Sequence, residues 1–395
     1  MSSLLDITEI RSQFPALSRT ENGVTAAYLD GPGGTQVTSG VIAAMSAALT
    51  EGVSNLGGGF GASDHAVEIT EKARVAAGRL FGASPATISF GQNMTSLTFA
   101  MSRAIARSWR PGDVIVVTSL DHDANFTPWT MAAAEVGVEV RTAEFDTETG
   151  LLDPAAVVDL LDDRVRLVAV CLASNALGSV VDVAAVSAAV HEVDALVYVD
   201  AVHAAPHLAI DVAGLDCDFL VASAYKFFGP HTGILYGREE QMASLEAYKV
   251  RPAPSDPPGK WETGTQSFES LAGVSAAVEY LESVGHQAIA AQETSLGQRF
   301  LDGLGQMGHV RLYGPPSMED RVTTFAVSVN GHGADAVARE MAAAGIYVWA
   351  GHYYAVNVMD RLGVLDRGGL VRIGFVHYNT LDEVDRTLDV LHRLG

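Results

Sequence analysis

The stretch ALVYVDAVHAAPHLAIDVAGLDCDFLVASAYKFFGPHTGILYG (Ala195–Gly237) decides the fold class. It contains three short β-rich runs: ALVYVD (Ala195–Asp200), FLVAS (Phe219–Ser223) and GILYG (Gly233–Gly237). Runs so nearly apolar suit strands buried on both faces. Upstream, VIVVT (Val114–Thr118), VEVRT (Val138–Thr142) and RLVAVCL (Arg166–Leu172) repeat the pattern. Ala-rich stretches separate them, as at Asp182–Val193, where Val183, Val186 and Val190 fall at helical spacing and Asp182 stands ready to cap the first turn. The alternation from about Thr25 to Arg238 predicts an α/β fold, a mostly parallel sheet covered by helices. Functional residues are then expected at the strand ends.

The pattern breaks at VRPAPSDPPGKWETGTQ (Val250–Gln266), whose prolines read as a loop. The expected organisation is an N-terminal arm over 1–24 packing on the smaller domain, a large domain over 25–262 and a small α/β domain over 263–395. Glu269 to about Gly305 reads as one amphipathic helix or a helix pair, with Leu271, Val274, Val278 and Leu281 on one stripe. Strands are predicted at TTFAVSV (Thr323–Val329), IYVW (Ile346–Trp349) and LVRIGF (Leu370–Phe375).

Composition narrows the function. The 395 residues carry 25 Lys+Arg against 47 Asp+Glu, a formal charge of −22, so nucleic acid or an anionic membrane would meet net repulsion. No run approaches the length of a membrane span. Two cysteines, Cys171 and Cys217, are too few for a disulfide framework, and MSSLLDITEIRSQFPALSRT lacks a basic segment followed by a long apolar run. A cytoplasmic enzyme is expected, with a small-molecule substrate and neither nucleic-acid nor membrane partner.

Three groups of different chemistry converge on this frame. Lys226 follows a strand and precedes a Gly-Pro turn; read alone, it is equally an ordinary surface cation. One strand earlier, Asp200 ends a strand and His203 follows, so a carboxylate, an imidazole and an amine share one crevice. An aldehyde cofactor such as pyridoxal phosphate (PLP) uses all three: an amine to bond its aldehyde, a carboxylate to keep its ring nitrogen protonated, and donors for its phenolic oxygen. For the phosphate, ISFGQNMTSLTF passes from a strand through Gly91 into a helix, freeing N–H groups around Asn93, Met94 and Thr95. That pattern alone is weak, since many such turns only cap the helix.

Taken together, Lys226 in SAYKFFGP, Asp200 in VDAVHAAPH, Asn175 in SNALGS, His122 in DHDANFTPW, Thr95 in GQNMTS and Thr265 in ETGTQ give a chain that resembles the cysteine desulfurase-like group of class V aminotransferases. The likeness runs from YLDGPGGTQ (Tyr28–Gln36) to VRIGFVHYNTLDEVDR (Val371–Arg386). It implies PLP fold type I, with a large domain holding a mostly parallel seven-stranded sheet and a smaller α/β C-terminal domain. It also implies a homodimer with shared sites, PLP as cofactor, an amino-acid substrate and no metal. By the same resemblance, Lys226 bonds the cofactor and moves protons, Asp200 pairs with the ring nitrogen, and His122 stacks on the ring and can transfer protons, the three being the catalytic residues. Asn175 contacts the phenolic oxygen or the substrate carboxylate, His203 donates to the phenolic oxygen where the desulfurases usually have Gln, and Tyr354 and His352 stand on the substrate side. Asn93, Met94, Thr95, Ser223 and Tyr225 hold the phosphate, joined by Thr265 from the partner subunit. Arg372 grips the substrate carboxylate.

The resemblance also marks departures. In the desulfurases a mobile loop carries the cysteine that accepts sulfur. Here it reads VWAGHYYAVN, with Tyr354 in the cysteine's place, His352 beside it and Trp349 replacing an arginine. Cys171 and Cys217 read as buried packing residues. SNLGGGFGAS (Ser54–Ser63) is glycine-rich where relatives present basic residues. The expected reaction is β-elimination from a cysteine-like amino acid, a C–S or C–Se lyase without a persulfide-forming cysteine. An aminotransferase or epimerase on the same site is the alternative, and a silent PLP-binding protein a further one.

Overall fold

The computed structural model describes residues 5–21 and 23–395. Seven strands, β1 (Ile88–Gly91), β2 (Val114–Thr118), β3 (Glu139–Ala143), β4 (Val165–Cys171), β5 (Leu196–Asp200), β6 (Phe219–Ser223) and β7 (Gly233–Gly237), form one sheet in the order β1-β7-β6-β5-β4-β2-β3. Strands β2 to β6 pair in parallel, and β7 runs antiparallel to both its neighbours. The continuous apolar runs are explained by two covered faces. Val168, Val170, Val197, Val199 and Leu220 join one core, while Leu167, Ala169, Tyr198, Phe219 and Val221 join the other. Successive residues of a strand point to opposite faces, so each strand feeds both cores.

On the first face lie the helices α1 (Ser39–Glu51) and α2 (Gly61–Phe81); on the second, α3 (Met94–Ala106) and the helix Thr127–Val136. The amphipathic stretch beyond the Pro-rich loop is a pair, α4 (Phe268–Val284) and α5 (His286–Leu304), turning at Gly285. The stripe Leu271, Val274, Val278 and Leu281 buries itself in the first core. A third core begins further along α5 at Leu296 and Phe300 and includes Phe325, Ile373 and Leu391. The change of core therefore comes within α5, later in the chain than the proline-rich loop. The N-terminal arm touches both parts of the chain: Arg11 pairs with Glu383 at 3.0 Å and donates to the carbonyl of Tyr378 at 2.8 Å. Ile10, Phe14 and Leu17 belong to the large core, and Phe14 meets Phe228 as well as Tyr280, His377 and Tyr378.

The third core underlies an antiparallel sheet, β8 (Val310–Tyr313), β9 (Thr324–Val329), β10 (Trp349–Gly351) and β11 (Leu370–Gly374), in the order β8-β9-β11-β10. Helix α6 (Leu381–Arg393) closes it behind a capping box of Thr380 and Glu383. The predicted strand IYVW divides: Ile346–Tyr347 pairs in parallel with Ala27–Tyr28, and Trp349 starts β10. Two partners compete for one run, which periodicity cannot reveal. Among the described residues no helix is long and apolar enough to cross a membrane.

Candidate active site

The loops leaving the carboxyl ends of β2, β4, β5 and β6 meet the start of α3 and the β10–β11 region around a cavity of about 920 Å³. This is the crevice that an open parallel sheet offers a ligand.

Lys226 sits on the single 3-10 turn Ala224–Lys226 that ends β6. Its Nζ donates to the carbonyl of Pro32 and lies 4.8 Å from the Tyr225 ring centroid. Burial, then the neighbouring Arg372 charge, pushes its amine down to about 7. Asp200 ends β5, buried, with Oδ1 accepting from the N–H of Val202 at 2.9 Å. Burial raises its carboxyl to about 6, opposed by the Val202 bond and by Lys226. The carboxylate therefore gains from a cation placed in the cavity.

His122 follows β2 and caps the turn Asp123–Asn125, its Nδ1 accepting from the N–H of Ala124 at 3.0 Å. Burial and the charges of Lys226 and Arg372 lower it to about 4, so the ring is neutral and carries its proton on Nε2. Tyr354 lies nearly parallel to it, with ring centroids 5.6 Å apart and planes 17° apart. His203 joins Thr324 Oγ1 through Nε2 at 2.9 Å, tying the two sheets together, and burial holds it well below the usual histidine range.

Arg372, on β11, is buried; Nη1 donates to the carbonyl of Asn175 at 3.0 Å, and the guanidinium lies 4.6 Å from the Tyr353 ring centroid. Asn175 Nδ2 donates to the carbonyl of Tyr353 at 3.0 Å. Among the described residues Arg372 Nε and Asn175 Oδ1 are buried without a partner. Buried polar atoms left so are uncommon, and two on one wall mark a place for a ligand's polar groups.

Opposite, Asn93 caps α3 by accepting from the N–H of Ser96 at 2.9 Å, and the N–H of Met94 donates to Ser223 Oγ at 3.0 Å. Thr95 and Tyr225 also line the cavity, and Tyr225 stacks on His231 with centroids 4.8 Å apart. This approach requires glycine at 233, since a Cβ there would stand 2.5 Å from the carbonyl carbon of Asn93. His352 also faces the cavity, and its Nδ1 accepts from the N–H of Tyr354.

Two expected contributors stay apart. Thr265 is exposed and outside this cavity, and no residue of the glycine-rich segment 54–63 lines it. Cys217 is buried before β6, whereas Cys171 reaches the cavity wall; burial, Asp121 and Asp200 hold its thiol well above the usual range. Sequence reasoning passed over Asp30. Its Oδ1 is buried without a partner among the described residues, and burial raises its carboxyl to about 6 near Arg372 and Lys226. The only signal was its place between the short strand Ala27–Tyr28 and the turn GPGG.

Residues 27–387 match the family model for aminotransferase class-V. The chain belongs to the class V aminotransferase family. Among relatives of this class V enzyme, the cysteine desulfurase of Dickeya dadantii is 32% identical over 98% of this chain and 96% of its own. A probable cysteine desulfurase of Mycobacterium leprae is 32% identical over 97% and 95%. The apo structure of a cysteine desulfurase from Thermococcus onnurineus superposes with a TM-score of 0.93 at 27% identity, covering 100% of this chain and 99% of that one. The class V chain is thus a PLP-dependent enzyme of fold type I, as its likeness to the desulfurases implied.

Proposed function

We propose that this class V enzyme is a lyase that removes the sulfur- or selenium-bearing group from Cβ of a cysteine-like amino acid without a protein thiol. The residues present fit PLP. A buried amine, a buried carboxylate that gains from a cation, a neutral stacking imidazole and the start of a 13-residue helix surround one space. Lys226 would bond the aldehyde, Asp200 hold the ring-nitrogen proton, and His122 stack on the ring. Asn175 and His203 would face the phenolic oxygen, with Asn93, Met94, Thr95, Ser223 and Tyr225 at the phosphate. When bound, PLP supplies an electron sink for the pair left behind at Cα.

The chain's own groups account for the remaining steps. Arg372 clamps the substrate carboxylate through its planar fork, with Asn175 Oδ1 free to accept from the amino acid. Lys226 Nζ, an amine of about 7, is suited to take the Cα proton at neutral pH. The observation that carries the thiol-free reading is the state of Cys171. Burial first, and then the Asp121 and Asp200 carboxylates, hold this thiol well above its usual range, and a protonated thiol is a poor sulfur acceptor. Loop residues 349–355 offer tyrosines and a histidine instead. The sulfur group therefore leaves from Cβ directly, and R–S–CH2–CH(NH3+)–COO− with water gives RSH, pyruvate and ammonium.

A homodimer belongs to the same proposal. Ile42 and Leu49 on α1, Val67 on α2 and Phe60 at the N-cap of α2 are exposed apolar residues on or beside the two helices that α4 packs against. Pairing there would bury them, and Thr265 would complete the phosphate site of the partner. The reading is tested with the holoenzyme on S-methyl-L-cysteine, L-cysteine and L-selenocysteine. Thiol, sulfide or selenide should appear together with pyruvate. Binding without release from any of them, or solvent deuterium entering Cα with no elimination, would overturn it.

A further inference from the structure

We propose that the site selects amino acids whose Cβ substituent ends in an aromatic group, an aryl or arylmethyl thioether of cysteine being the fitting class. This rests on the lyase reading above. In the register of the small sheet, Trp349 on β10 stands directly opposite Arg372 on β11. Directly opposed residues keep their Cβ atoms about 4.5–5.5 Å apart on one face. Both line the cavity, so an amino acid held by its carboxylate at Arg372 has an indole as its immediate neighbour.

Trp349 is set apart from the other tryptophans. It is 55% exposed, whereas Trp109, Trp129 and Trp261 are buried. Its Nε1 presses on the turn beside Lys226, where a Cβ at Gly33 would stand 2.7 Å away. Tyr354, 68% exposed, forms a second aromatic face. It and Tyr353 hold successive left-handed conformations, φ 59 and 52, which bulky residues avoid. Hydrogen bonds maintain them: the carbonyl of Tyr354 accepts from the N–H of Asp123 at 2.7 Å, and that of Tyr353 from Asn175. Strain maintained in this way at a cavity mouth marks a functional constraint. Here it presents a phenol ring parallel to His122.

Phe99 adds a third aromatic surface from α3. Charge argues the same way. Among the described residues Lys226 and Arg372 are the only Lys or Arg side chains lining the cavity, so a second carboxylate on the substrate would find neither cation free. A cavity of about 920 Å³ has room for an aryl group beside the cofactor. In the elimination the Cα–H pair becomes the second bond between Cα and Cβ, and the Cβ–S pair leaves with sulfur. Substrate and water then yield an aryl or arylmethyl thiol, pyruvate and ammonium, with no oxidant or reductant.

The test pairs turnover with equilibrium binding on the holoenzyme. S-benzyl-L-cysteine should show a KM about tenfold below that of S-methyl-L-cysteine, and L-phenylalanine should bind about tenfold tighter than L-alanine by calorimetry. Trp349→Leu, and independently Tyr354→Leu, should bring both ratios down towards one. Equal binding of phenylalanine and alanine by the wild type, or undiminished ratios in both variants, would overturn the proposal. If phenylalanine is preferred but no thioether releases a thiol, the lyase reading fails and the aromatic preference stands.

Discussion

Lys226 shows how much one side chain depends on its surroundings. Burial and Arg372 lower its amine from the ordinary lysine value to about 7, so near neutral pH a large share of the chains carries a nucleophilic amine. Competitive acetylation of the cofactor-free protein, read by mass spectrometry of the Lys226 peptide, should show reactivity rising through about pH 7. Arg372→Gln removes a like charge, makes the protonated amine easier to keep, and should move that midpoint upward. A wild-type midpoint near the free-lysine value would contradict this account. Lys226, Asp200, His122 and Asn175 were legible because each ends or follows a strand that its own sequence declares. Asp30 and the carbonyl of Pro32 were not, since they reach Lys226 only when the first residues of the fold come back against β6.

At the scale of elements, β1 is the weakly declared member of the large sheet, and a buried ion pair fixes it. Arg74 on α2 holds Glu262 through two bonds of 2.8 Å and also donates to the carbonyl of Ile88, while Glu262 accepts from the N–H of Phe90. Both side chains are buried, so removing one leaves an uncompensated charge, at about 3–5 kcal/mol. Glu262→Ala should therefore lower the urea midpoint of the cofactor-free protein and weaken cofactor binding, because β1 leads into the Asn93 turn. Replacing both partners with apolar residues should restore most of the stability. An unchanged midpoint in Glu262→Ala would refute the assignment. None of this was legible, since Glu262 sits in a Pro-rich loop 188 residues from its partner. The parallel strands were readable because burial on both faces leaves a local signature. The division of Ile346–Gly351 between two sheets was not, because strand pairing is a long-range choice.

For the whole molecule, the acidic balance leaves few cations, and among the described residues two of them, Lys226 and Arg372, line the cavity, where the proposal has them take the cofactor aldehyde and the substrate carboxylate. The exposed apolar residues of α1 and α2, and the distance of Thr265 from its own cavity, support a dimer. Sedimentation should give one, and Leu49→Glu should yield monomers that lose cofactor more readily. A monomeric wild type that retains cofactor as tightly would contradict shared sites. The proposed lyase breaks the bond to sulfur without a protein thiol. The decisive experiment takes the cysteine-free variant Cys171→Ala/Cys217→Ala, loads it with PLP and gives it S-benzyl-L-cysteine or L-cysteine, with intact-protein mass spectrometry of the wild type after turnover of L-cysteine. The variant should keep most of its thiol, sulfide and pyruvate release, and no persulfide should form on the wild type. Loss of release in a variant that still binds cofactor, or a persulfide on Cys171, would contradict it.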